Sequence, residues 1–213
     1  MHSQSLRGSL ARAWGVATVG SRGPRPKLSS EAIAGEAVAI ADAEGLGAAT
    51  LARVADACGV VTTALYRYVA DKDDLVDLMT EHALAGPPSL DPARPDAAER
   101  WAVAFAERLR AHPWLAGVQP RGVPLGPESL GWLDTLVAAL SVRGCADVAG
   151  VALQLSTTVR AYVAMEQSVA GEGPPDWWGS LVAERYPALA RAFAGRDLSS
   201  PADDLDDAVA RIL

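Results

Sequence analysis

Between positions 62 and 72 the chain gathers Thr62, Thr63, Tyr66, Arg67, Tyr68 and Lys72. These side chains supply no nucleophile with its base and no metal-ligand set. What they share is hydrogen-bond donation, the chemistry that phosphate oxygens and base edges call for. Arg67 is the one member able to hold guanine O6 and N7 through two parallel bonds. Tyr66 and Tyr68 can donate phenolic hydrogens to phosphates. Thr62 and Thr63 offer hydroxyls and methyls for a phosphate or a thymine methyl, and the same hydroxyls could simply cap a helix. Lys72 opens a segment that Asp71 and Asp74 can cap, which places its amine beside backbone N–H donors at a helix start.

Local signals set the elements that must position these groups. Ser30 before Glu31 starts a helix running to about Glu44, with Ile33, Ala37, Ile40 and Ala41 on one face. Gly45 and Gly47 stop it. Thr50 caps a short helix over 51–58 with Leu51, Val54 and Ala55 inward, and Gly59 supplies the left-handed residue of a tight turn. A further short helix, capped by Thr62 or Thr63, runs to Tyr68 with Leu65 and Val69 inward. Two short helices across a glycine turn, with donors outward on the second, have the outline that enters a DNA major groove. An αα-hairpin of this outline need not touch DNA.

The whole chain of 213 residues carries a formal charge of −7, which by itself disfavours a polyanionic partner. The charge is uneven. Residues 1–72 are net +2 and residues 73–213 net −9, and the first thirty residues hold five basic side chains and no acid. A basic arm before an acidic body suits one end of the molecule to a polyanion, the alternative being a solvated tail. Half of the residues are hydrophobic and 6% aromatic, favouring an all-α fold. Cys58 and Cys145 form neither a disulfide framework nor a zinc pattern, and point to a reducing compartment. His2, His82 and His112 lack ligand spacing, so no metal is expected. The most apolar long segment, 147–170, contains Arg160 and Glu166, so no membrane span and no secretory signal are read here.

The stretch from Glu44 to Met79 resembles the N-terminal domain of TetR-family transcriptional regulators. The resemblance rests on Thr50 at the start of the second helix, Gly59-Val60 in the turn, Leu65-Tyr66 in the recognition helix, and Lys72-Asp-Asp-Leu75 at the start of the fourth. It departs from the family at Val61, often a small polar cap, and at Ala52, often a polar base reader, with Arg53 as the nearest replacement. The arm 21–29 resembles the basic extension of many members, with Arg25 and Lys27 placed to follow a minor groove. The DNA-contacting set implied is Arg25, Lys27, Thr50, Arg53, Thr62, Thr63, Tyr66, Arg67, Tyr68 and Lys72.

In the larger remainder, Trp101, Phe105 and Leu109 mark a helix over 96–111. Pro127 opens another to Val142 with Leu130, Leu133, Val137 and Leu140 inward, and 146–170 is apolar almost all round and should be buried on several sides. A helix over 178–193, interrupted near Pro187, and a last one over 201–213 follow. The portion from Trp101 to Gln167 is similar to the regulatory domain of the tetracycline-repressor type. That resemblance implies an effector cavity, and dimerisation through 146–170 paired with 178–195 or 201–213. Candidate cavity residues are Trp101, Phe105, His112, Trp114 and Trp132, with Thr157, Thr158, Arg160, Tyr162 and Glu166. For each aromatic, ordinary core or dimer packing is the favoured reading over ligand contact. Arg160 and Glu166, charged within an apolar helix, must be a salt bridge, an interface contact or a ligand anchor, and His112 before Pro113 could merely end a helix.

The resulting expectation is an all-α protein of about nine or ten helices. It has a flexible basic arm (1–27), a three-helix helix-turn-helix DNA-binding domain (28–75) and an effector-binding and dimerisation domain (76–213). The resemblance implies a cytoplasmic regulator, commonly a repressor, which as a homodimer binds a palindromic double-stranded operator and is released by a small-molecule effector. No cofactor and no enzymatic activity are expected. The rival reading is a helical carrier or enzyme keeping the hairpin as scaffold, but no nucleophile motif, phosphate loop or catalytic carboxylate pair supports it.

Overall fold

Ser29, one residue before the expected cap, accepts a hydrogen bond from the Ala32 amide at 3.0 Å and so begins the first helix of the amino-terminal unit. The computed structural model describes residues 8–16, 28–118, 126–169, 175–194 and 203–213. In chain order its helices are α1 (Gly8–Ala13), α2 (Ser30–Glu44), α3 (Leu51–Ala57), α4 (Thr62–Leu65), α5 (Lys72–Ala83) and α6 (Ala97–Ala111). They continue with α7 (Pro113–Ala116), α8 (Pro127–Val142), α9 (Val148–Val169), α10 (Asp176–Arg185), α11 (Pro187–Ala192) and α12 (Asp203–Ile212). The architecture is all-α, with helix-turn-helix elements at the amino-terminal end and a larger helical bundle after them.

Helices α2 to α5 enclose Ile33, Ala37, Ala41, Val54, Leu65, Val69, Leu75 and Met79, all but removed from solvent. Thr50 caps α3 through the Arg53 amide at 3.3 Å. Gly59, at φ 65°, makes the turn that a Cβ would strain. Asp71 caps α5 through the Asp74 amide at 2.7 Å, and Asp74 in return accepts from the Ala70 amide at 2.8 Å.

Helix α4 differs from its expectation. Its N-cap is Val61, with no side-chain cap, and it ends at Leu65 rather than Tyr68. Thr62 and Thr63 therefore lie within the first turn rather than capping it. Tyr68, past the helix end, turns inward: it is buried, and its hydroxyl donates to the Leu28 carbonyl at 2.8 Å. Its expected place on the outward face is corrected accordingly. Part of the expected amino-terminal arm is helical: α1 packs on α5, Leu10 is buried, and Arg12 donates to the Tyr68 carbonyl.

In the body, α6 buries Trp101, Phe105 and Leu109 as its spacing requires. Helix α8 turns Trp132, Leu136, Ala139 and Leu140 inward, leaving Leu130, Leu133 and Val137 half-buried. Its residues are apolar on most sides, so periodicity alone could not choose the face. Helix α9 packs against α6, α7, α8 and α12 through Ala152, Leu155, Val159 and Val163. Only that stripe is buried in the single chain, not several sides as expected; Leu153 and Met165 face outward. By length and composition α9 could cross a membrane, but this packing and the pairing of Glu166 with Arg110 make it the central helix of the bundle. Leu205 and Val209 of α12 are buried, while Trp177, Tyr186, Leu189 and Phe193 on or beside α10 and α11 are exposed.

Candidate nucleic-acid interface and ligand site

The glycine turn and the short α4 hold one polar face clear of the body. Tyr66, Arg67 and Thr63 are exposed on it and Thr62 is half-buried. Val61, at the N-cap, is also exposed and gives this face an apolar spot. Lys72 is exposed at the first position of α5, its Nζ 3.4 Å from the Leu46 carbonyl, and Thr50 lies exposed at the head of α3. Because Asp71 and Asp74 occupy nearby amides, the start of α5 presents the Lys72 amine rather than a bare helix end.

Arg53 is exposed but engaged. Its guanidinium forms a two-pronged pair with Glu44 at the end of α2, one bond being 2.7 Å, and this draws the Glu44 carboxyl below the ordinary glutamate range. The sequence marks Glu44 only as a helix end and not as the partner of Arg53, since a pair between separate helices leaves no local pattern. Arg25 and Lys27 lie outside the described residues.

The ten expected cavity residues separate into groups. Trp101 and Phe105 stack at 4.8 Å between ring centroids, and Trp132 meets Phe105 at 5.4 Å and Trp101 edge-on at 6.1 Å. Both indoles are satisfied: Trp101 donates to the Trp132 carbonyl and Trp132 to the Leu84 carbonyl, each at 2.8 Å. Arg160 places its guanidinium 5.5 Å from the Phe105 ring centre and donates to the Leu115 carbonyl. Burial draws its pKa down. Glu166 is instead a salt-bridge residue, paired with Arg110 through bonds of 2.9 and 2.8 Å. The Thr157 hydroxyl bonds back to its own helix at Leu153, 2.8 Å away, while Thr158 and Tyr162 are half-buried along α9.

His112 and Trp114 point to the amino-terminal unit. His112 Nδ1 lies 3.0 Å from both carboxylate oxygens of Asp42, and the Trp114 indole donates to Asp42 at 2.7 Å. Asp42 belongs to α2, so this node joins the two parts of the molecule across some seventy positions of sequence. Arg108 adds a second tie, donating to the carbonyls of Ala83 and Ala85 at 2.9 and 3.0 Å where α5 ends.

Residues 33–79 match the family described as bacterial regulatory proteins, tetR family. The HTH-type transcriptional repressor DrrR1 of Streptomyces coeruleorubidus is 35% identical over 151 residues, covering 68% of this chain; the match spans 55% of that relative's length. An HTH-type transcriptional regulator of Saccharopolyspora erythraea is 30% identical over 182 residues, 79% of this chain and 76% of the relative. The crystal structure of ActR from Streptomyces coelicolor in complex with actinorhodin superposes with a TM-score of 0.72 at 26% identity, covering 89% of this chain and 95% of that one. The family match and these relatives place the chain in the class of helix-turn-helix transcriptional regulators, which are not enzymes. Within that class the chain belongs to the TetR family.

Proposed function

We propose that this protein is a ligand-responsive, sequence-specific regulator that binds a palindromic operator as a homodimer in the cytoplasm and is released by a small-molecule effector. The observation that carries the reading is the exposed set Thr63, Tyr66, Arg67 and Lys72 on a helix-turn-helix with a fully formed core. Arg67 reads a base edge, while Tyr66 and Lys72 fix the register on phosphates, with Arg25, Lys27, Thr50, Arg53 and Thr62 as further contacts. Residues 28–75 form the DNA-binding domain and 76–213 the effector and dimer domain. Two copies pair through the exposed side of α9 and through α10–α11, since α12 spends its apolar residues within the chain. A two-fold dimer spaces recognition helices about 34–36 Å apart, one turn of DNA. The DrrR1 relative is named a repressor and ActR holds actinorhodin, which supports repression relieved by an organic ligand.

The test is selection of bound duplexes from a random pool, with the intact protein beside a Tyr66→Ala, Lys72→Ala variant. Enrichment of a palindrome that the variant loses is the expected result. A folded, dimeric protein that enriches nothing overturns the reading.

A further inference from the structure

Of the two charged residues inside α9, Glu166 has Arg110, whereas Arg160 forms no ion pair among the described residues: its partner is a main-chain carbonyl. A half-buried guanidinium without an anion is costly, and a carboxylate offers it a counter-charge and a two-pronged pair that a single main-chain carbonyl does not supply. Its guanidinium lies over Phe105, which in turn packs on Trp101 and Trp132. Its present acceptor, Leu115, sits in α7, a single turn too short to persist without tertiary support. The same turn carries Trp114, and His112 precedes it; both hold Asp42 of the DNA-binding unit. Besides Arg160, the Leu115 carbonyl accepts the Val118 amide at 3.3 Å and the Gly117 amide at the C-cap of α7.

We infer that Arg160 is the anion anchor of an effector site for an aromatic acid, and that its occupation is passed to the DNA-binding unit through α7. The ligand carboxylate draws the guanidinium off the Leu115 carbonyl while its ring system packs on the aromatic cluster. Helix α7 loosens, Trp114 and His112 release Asp42, and α2 is free to swing with the recognition helices. The inference rests on the regulator reading above for its last step only; the anchor is testable on the free protein.

The probes are 2-naphthoate and its neutral isostere 2-naphthamide. In thermal melts of the free full-length chain, the acid is expected to raise Tm and the amide to do so much less. Arg160→Gln should abolish that difference. Equal response to acid and amide, response to neither, or a preference retained by Arg160→Gln overturns the anchor. The wild-type comparison needs no variant to fold. With the selected operator duplex, the acid should weaken wild-type binding by about tenfold, within the usual range of allosteric coupling. Trp114→Phe should still be stabilised by the acid but release operator several-fold less. If Trp114→Phe releases as the wild type does, the α7 route is wrong. A failure to select any operator counts against the regulator reading and leaves the melts to decide the anchor.

Discussion

The Glu81 carboxylate in α5 accepts the Glu128 amide at 2.8 Å and also the Ser129 hydroxyl, so the connecting helix supplies the N-terminal cap of α8. Glu128 replies by accepting the Gly86 amide at 3.0 Å, just beyond the end of α5. Glu81 is almost wholly buried, and a Cβ on Gly126 would coincide with its carboxylate. The two helices are thereby fastened at a point where neither can slide without stripping a buried charge of its donors.

Loss of that cap should be costly. Glu81→Ala leaves the first amides of α8 unpaired and is expected to lower stability by about 1–3 kcal/mol. Gly126→Ala should destabilise through the same contact, so the double variant falls short of the sum of the singles. Urea denaturation of the four proteins measures both effects; strict additivity would remove Gly126 from the explanation.

Lys72 and Arg67 should separate by their salt and sequence responses. Lys72→Ala is expected to weaken all duplexes alike and to reduce the slope of log K against log salt by about 1 per protomer. Arg67→Ala should relax preference at one position of each half-site, by about 1–3 kcal/mol. Anisotropy titrations over a salt series, with operator and single-substitution duplexes, discriminate the two.

The Glu44–Arg53 pair gives a pH expectation with a definite sign. Arg53 lowers the folded-state pKa of Glu44 through a side-chain hydrogen bond, so whatever the pair contributes is present above the unfolded glutamate value and lost as pH falls through the lowered folded one. The pair is exposed, so its effect on stability is slight. Carboxyl chemical shifts followed by NMR should show a depressed Glu44 midpoint that returns to the ordinary range in Arg53→Met. An unmoved midpoint would mean that Arg53 is free to reach DNA.

The proposed pairing through α9 and α10–α11 makes Leu153 and Leu189 the residues to charge. Leu153→Glu and Leu189→Glu are each expected to sediment as the 22.1 kDa monomer at micromolar concentration while keeping wild-type helix content. Operator affinity should fall with dimer content, since one half-site alone gives up the contacts of the second. Dimers that survive both substitutions would place the seam elsewhere.

These relationships differ in how far the sequence foretold them. Thr50, Gly59, Leu65, Asp71 and Lys72 were legible because capping and turn geometry act within a few residues, and helix-turn-helix units are built from such local rules. Tyr68 was misjudged because α4 stops a turn early, which rotates every following side chain. The face of α8 was not legible, since apolar residues surround it and only its neighbours choose Trp132 and Leu136. Asp42, Glu81 and Arg110 left no trace at all: each is an ordinary charged residue on a helix until a partner far along the chain arrives. The candidate ligand residues mixed groups with quite different tasks, because composition marks a residue as unusual for a core without saying what it meets.

The amino-terminal helix α1 supplies the last test, because the basic arm was expected to have no structural role. Leu10 is buried against α5, and Arg12 reaches the segment after α4, donating to the Tyr68 carbonyl with its guanidinium 5.9 Å from that ring. Tyr68 in turn holds Leu28, the residue before the cap of α2. Removing residues 1–16 should therefore expose apolar surface on α5 and untie the end of the recognition segment. Burial of one leucine sets the loss at about 1.5–3 kcal/mol, and Leu10→Asp in the full chain should reproduce most of it. Hydrogen exchange at Val69 and Ala70 should quicken in both variants. If truncation leaves stability and exchange unchanged, α1 rests on the surface without supporting it, and the arm acts through its charge alone.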